Sequence, residues 1–120
     1  MKFIDPEIRH HFSGGLYAKE TFIPKDSWLM QHAHKFDHLS VLAQGSVELI
    51  VDGVTSIIEA PACLTILAGK HHGIRSITDV VWYCIHATDC TDVAEIDEII
   101  IAPADPAQVR TIAQVLSQGV

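Results

Sequence analysis

Cysteine is scarce in this chain. Cys63, Cys84 and Cys90 are the only three in 120 residues, and no CxxC pair occurs among them. An odd count without that spacing gives no disulfide framework to expect and favours the reducing cytoplasm. Basic residues are also few: 8 Lys and Arg stand against 15 Asp and Glu, for a formal net charge of -7. So acidic a chain is a poor match for nucleic acid or an anionic membrane, and leaves small neutral or cationic ligands open. Long apolar runs are missing as well. The longest, such as "EIIIAPA", fall far short of the roughly 20 residues a membrane helix needs, and "MKFIDPEIRHHF" lacks the apolar stretch of a signal peptide. A cytoplasmic protein is the expectation. There is no internal repeat, no low-complexity segment, no phosphate loop, no HExxH and no Ser-His-Asp arrangement.

What is present is an ordinary folding composition, 48% hydrophobic and 19% charged, sized for a single domain over 1–120. Gly, Pro and Asp-Gly punctuate short segments rich in Val, Ile, Thr, Leu and aromatics: 16–23, 27–34, 38–44, 46–51, 54–60, 63–68, 72–77 and 80–88. Strands at such spacing predict an all-β sandwich or barrel, with "IVDGVT" its clearest hairpin because Asp-Gly suits a type I′ turn. The barrel is expected over about 16–101, with "IDEIII" (96–101) read as a further strand. The tail differs. Asp105 suits an N-cap, Pro106 the first helical position and Gln108 the capping box, while Val109, Ile112, Ala113 and Leu116 form one stripe. A short C-terminal helix over about 106–118 follows, with Gly119 placed to end it.

Histidine is the abundant residue, 8 in all. "QHAHKFDHLSVLAQG" carries His32, His34 and His38, and "LAGKHHG" adds His71 and His72. On an extended strand His32 and His34 share a face with Trp28 and Met30. His38 would open the next strand, so two neighbouring strands can converge three imidazoles. One of His71 and His72 can supply a fourth, and alternation alone does not choose between them.

These residues resemble the two motifs of the cupins. The first runs Gly, five residues, His-x-His, three or four residues, Glu, six residues, Gly. His32-Ala33-His34 matches its His-x-His, His38 stands where Glu is usual, and Gly45 matches the closing glycine. The second runs Pro-x-Gly, two residues, His, three residues, Asn, and Gly69 and His72 match its glycine and histidine. The chain departs from the pattern at Asp26 for the leading glycine, Leu67 for the proline, Ser76 for the asparagine and, above all, His38 for the acidic ligand. The resemblance covers roughly 16–88 and implies a double-stranded β-helix, or jelly-roll barrel, with one divalent metal on His32, His34, His38 and His72.

Four imidazoles leave the metal's charge uncancelled. That disfavours Mn²⁺ and Mg²⁺ and suits Fe, Zn, Ni, Co or Cu, as a stronger Lewis acid and a better anchor for an anion. Two functions follow as expectations: an enzyme acting on a small polar molecule (a dioxygenase, or a Lewis-acid isomerase or lyase), and a non-catalytic module that binds or senses a small ligand. His86 shares parity with Trp82 and Cys84 and is a candidate acid-base group or outer partner of a ligand. Trp28, Met30 and Tyr17 are candidates for the substrate pocket, Tyr17 together with Lys19 on the same strand face. Cys63 and Cys84 are expected to be buried, His10 and His11 to lie at the surface, and Glu48 to point outward. A homodimer is expected, because isoleucines at 99–101 would face both sides of a strand there.

Overall fold

Alternating apolar and polar residues sort the strands into two sheets with their apolar faces opposed. The computed structural model describes residues 2–117. Its elements are β1 (Lys2–Phe3), β2 (Glu7–Ser13), β3 (Leu16–Ile23), β4 (Ser27–Gln31), β5 (His38–Gln44), β6 (Ser46–Val51), β7 (Val54–Glu59), β8 (Ala62–Ile66), β9 (His72–Ser76), β10 (Val80–Ala87), α1 (Val93–Ile100) and α2 (Pro106–Ser117). One sheet has the order β1-β4-β9-β6-β7 and the other β2-β3-β10-β5-β8. All pairings are antiparallel except the short β1–β4 pair. This is the all-β jelly-roll expected. Between the sheets lie Ile23, Leu29, Leu42, Val47, Leu49, Ile74, Val80 and Trp82.

The barrel starts earlier than residue 16. β2 pairs with β3 along its whole length, joined at Gly14 and Gly15, both at positive φ. "EIRHHFS" hides this in sequence because an edge strand need bury little, and only His10 and Phe12 are partly covered. Glycine is required at Gly45, where φ is 93° and a Cβ would overlap the Asp79 carbonyl oxygen. At the other glycine position of the first motif, Asp26 itself takes φ 61°. Asp tolerates that left-handed conformation better than most residues, so the backbone shape persists without the glycine.

The segment read as a strand at 96–101 is helix α1. Asp92 caps it by accepting from the Ala94 N–H at 2.8 Å, and Ile96 and Ile100, one turn apart, bury against Tyr17. A strand there would have shown isoleucines on both faces; the helix turns two of them inward and leaves Ile99 39% exposed. Helix α2 begins as expected, with the Asp105 carboxylate accepting from the Ala107 N–H at 3.0 Å. Position 118 and Gly119 lie outside the described residues. The helix seals the outer face of β4, β6 and β9: Ile112 and Leu116 pack on Ile50, with Trp28 and Met30 beside them. Arg75 donates to the carbonyls of Val115 and Leu116 and pairs with Glu48 at 2.7 Å. Glu48 is therefore half-buried rather than simply outward. Cys84 is buried as expected, whereas Cys63 sits exposed on β8, which forms an edge of its sheet. Among the described residues no helix is long and apolar enough to cross a membrane.

Candidate metal centre

The inner face of the second sheet changes character along its strands. Register sets Tyr17 beside His86, Lys19 beside Cys84 and Thr21 beside Trp82, and Ser40 opposite Cys84 and Leu42 opposite Trp82. Alternation then brings His86 next to His38 one step beyond the Leu39–Ile85 pair. The face runs from apolar to polar to imidazole.

His34 reaches the same point by a different route. β4 ends at Gln31, and its inward residues are Leu29 and Gln31, not Trp28 and Met30. The chain then leaves strand geometry, and His34 is pinned from two sides. Its neighbours Ala33 and Lys35 bond to the end of α1, through Ala102 N–H to Ala33 O and Lys35 N–H to Ile100 O, both at 2.8 Å, while its own carbonyl accepts from the Gly69 N–H at 2.9 Å. The break in the strand is what sends His34 inward and leaves His32 exposed.

Three buried imidazoles result, with ring centroids 4.4 Å apart for His34–His38, 4.6 Å for His34–His86 and 4.5 Å for His38–His86. One ring nitrogen from each lies within 4.8 Å of the others. His72, fully buried at the start of β9, stands 6.4 Å from His38 by ring centroid. His71 is also buried but turns away. Its Nε2 accepts from the Asp105 N–H at 3.0 Å and its Nδ1 lies 3.3 Å from the Gln31 carbonyl, so it fastens α2 to the barrel.

Four of the expected site residues stand outside the imidazole cluster. His32 is exposed and outside the cluster. Tyr17 is fully buried under α1, its ring stacked on that of His86 with centroids 6.2 Å apart and its hydroxyl 2.7 Å from His10 Nδ1, and it is not among the residues lining the cavity beside His34. Trp28 packs under α2. Met30 does both, packing there and reaching a cavity wall. His86 belongs inside the cluster, and its shared parity with Trp82 and Cys84 is the signal that points there.

The cluster suits a cation. His34 Nδ1, His38 Nδ1, His86 Nε2 and both nitrogens of His72 are buried without a hydrogen-bond partner among the described residues. Leaving such groups unpaired costs about 1–3 kcal/mol each, which a shared ion would recover. Burial, with repulsion from the neighbouring imidazoles, pushes His34 down to about 2 and His72 to about 3; burial pushes His38 and His86 to about 4. All four are thus neutral at pH 7 with lone pairs to give. With no carboxylate in the cluster among the described residues, the donor set suits Fe, Zn, Ni, Co or Cu. A cavity of about 190 Å³ opens beside His34, with Lys19, Thr21, Gln31, His32 and Cys84 on its polar side.

No family model matches the sequence, and no curated protein is similar enough to it to count as a match. Solved structures do match. A cupin 2 domain-containing protein from Halorhodospira halophila superposes with TM-score 0.67 at 12% identity, over 96% of this chain and 82% of that one. A cupin superfamily protein from Desulfitobacterium hafniense gives 0.60 at 15%, over 71% and 79%. The chain has the cupin fold. KdgF from Halomonas sp. shares it, with TM-score 0.56 at 13% identity over 70% of this chain and 88% of that one. In this cupin barrel the two motif regions meet inside: His34 and His38 come from the first, His72 from the second.

Proposed function

We propose that this cupin is a metal-dependent enzyme acting on a small polar molecule, with one divalent transition metal held by His34, His38 and His86 and approached by His72. The observation that carries this reading is the triangle of buried, neutral imidazoles with unpaired nitrogens beside an open cavity. When bound, a divalent ion there supplies Lewis acidity or oxygen chemistry, the classes expected of an isomerase, lyase or dioxygenase. The chain's own residues present the substrate. Gln31, Lys19 and Thr21 line the approach, Met30 and Leu29 give it an apolar side, and the core around Trp82 closes the barrel behind the imidazoles.

A second reading, a non-catalytic ligand-binding module, is favoured by one feature. Among the described residues the one carboxylate on the cavity wall is Asp5, which is exposed, so they offer the wall no buried carboxyl group for proton transfer. Elemental analysis followed by turnover assays with Fe²⁺, Zn²⁺ and Ni²⁺ on small acids, diketones and sugars tests both. Metal at one per chain with turnover supports the enzyme. Metal without turnover on any of them supports the module, and no metal uptake overturns the enzyme and its metal site.

A further inference from the structure

The cavity beside His34 holds a charge that does not fit the chain's overall balance. Lys19 lies on the inner face of β3, in register with Cys84. It is half-buried and lines the cavity, and no carboxylate or other acceptor partners it among the described residues. Other basic side chains are served. Arg75 pairs with Glu48, Lys70 with Asp52, and Lys35 with the Glu98 carbonyl, while Lys25 and Arg110 stand in solvent. A partly desolvated ammonium without a counter-charge is unfavourable unless something anionic completes it.

The wall around it is rich in donors. Gln31 Oε1 accepts from the Cys84 thiol at 3.6 Å, which leaves its amide N–H groups free among the described residues. Thr21 and His32 add a hydroxyl and an imidazole. The formal charge of -7 favours cationic ligands on average, but screening confines an exposed charge to about 10 Å or less. Among the described residues the cavity wall carries two fixed charges, the Lys19 ammonium and the Asp5 carboxylate, and Lys19 is the more buried of the two. The volume of about 190 Å³ matches roughly six water-sized units at about 30 Å³ each, enough for an acid of a few carbons.

We propose that this cavity binds small carboxylate-bearing molecules, with the Lys19 ammonium anchoring the carboxylate and the remainder of the molecule directed toward His34. The assignment rests on the metal-site reading for what the far end meets, and on Lys19 alone for the class of ligand.

Calorimetric titration of the zinc-loaded chain with propionate and lactate, each against its neutral amide, tests it. The acids are expected to bind at least tenfold more tightly than the amides. Lys19→Met is expected to abolish that preference and Lys19→Arg to retain it, with the zinc content unchanged in both. Zinc-free protein is expected to keep a weaker preference for the acids. Equal affinity for acid and amide in the unsubstituted protein overturns the proposal, as does a preference that survives Lys19→Met. Zinc that fails to bind any form, alongside a preference for acids that depends on Lys19, overturns the metal-site reading and upholds this one.

Discussion

The imidazole of His86 lies against that of His38, centroids 4.5 Å apart and planes 27° from parallel. One comes from β10 and the other from the first position of β5, adjacent strands of one sheet. Two neutral rings held this way offer lone pairs to a common point, and His34 supplies the third from outside the sheet. His86→Ala is expected to lower metal affinity by more than the roughly 10–100-fold that loss of an outer partner costs. His32→Ala is expected to leave it unchanged, because His32 sits at the cavity rim. Competition titration against a chelator decides, and equal effects from the two substitutions would return His32 to the ligand set.

Acid is expected to destabilise the metal-free protein well before its carboxylates titrate. His34, His38, His72 and His86 are held at about 2, 4, 3 and 4 against an ordinary value of 6.5. As pH falls from 6.5 toward 4, the unfolded chain takes up protons that the folded one refuses. Stability is therefore full above 6.5 and lost on the way down, by up to about 1.4 kcal/mol per pH unit for each histidine. Urea midpoints measured between about pH 7.5 and pH 5 should fall steeply, and a flat profile would mean the imidazoles find partners when unmetallated.

Gly73 supports the helix rather than a turn. A Cβ there would stand 2.5 Å from Ile112 Cγ2 and 3.0 Å from Leu116 Cδ1. Gly73→Ala is expected to lift α2 and cost about 1–3 kcal/mol, read as a drop in thermal midpoint. An unchanged midpoint would show that α2 is not packed as described.

Two neighbouring isoleucines separate helix from strand at 93–100. Ile100→Lys places a charge against Tyr17 and is expected to cost at least the roughly 2–5 kcal/mol of losing a buried isoleucine side chain. Ile99→Lys, at a position 39% exposed, is expected to stay within about 0.5 kcal/mol. Equal sensitivity in chemical denaturation would favour the strand.

Much of the barrel was legible because alternation and turn residues are local signals. The segments at 16–23, 38–44 and 46–51 coincide with β3, β5 and β6. Motif spacing pointed to His34, His38 and His72, which face the interior, but it also named His32, which does not. The reason is geometric: parity holds only while a strand continues, and β4 stops at Gln31. His86 needed the opposite inference, since it lies in no motif and only the parity of β10 leads to it. Helix α1 was missed because three consecutive isoleucines read as β-branched strand, although Asp92 and the Ile96–Ile100 spacing carried the helical signal. With Ile96 and Ile100 turned inward, the expectation of pairing through 96–101 loses its support.

β9 is a short strand with no idle side. Inward, it carries His72, Ile74 and Ser76, the last holding the Ser27 N–H at 2.9 Å and the Pro24 carbonyl at 2.6 Å. Outward, Gly73 and Arg75 receive α2, and His71 just before the strand holds the start of that helix. In a saturation library, residues 71–76 should therefore tolerate substitution far less than β7, where Val54 and Ile57 stand exposed. Only His72 among them approaches the imidazole cluster. Invariance across this second motif would thus record the fastening of a helix as much as the chemistry of a metal, and reading it as catalytic selection would mistake a joint for a tool.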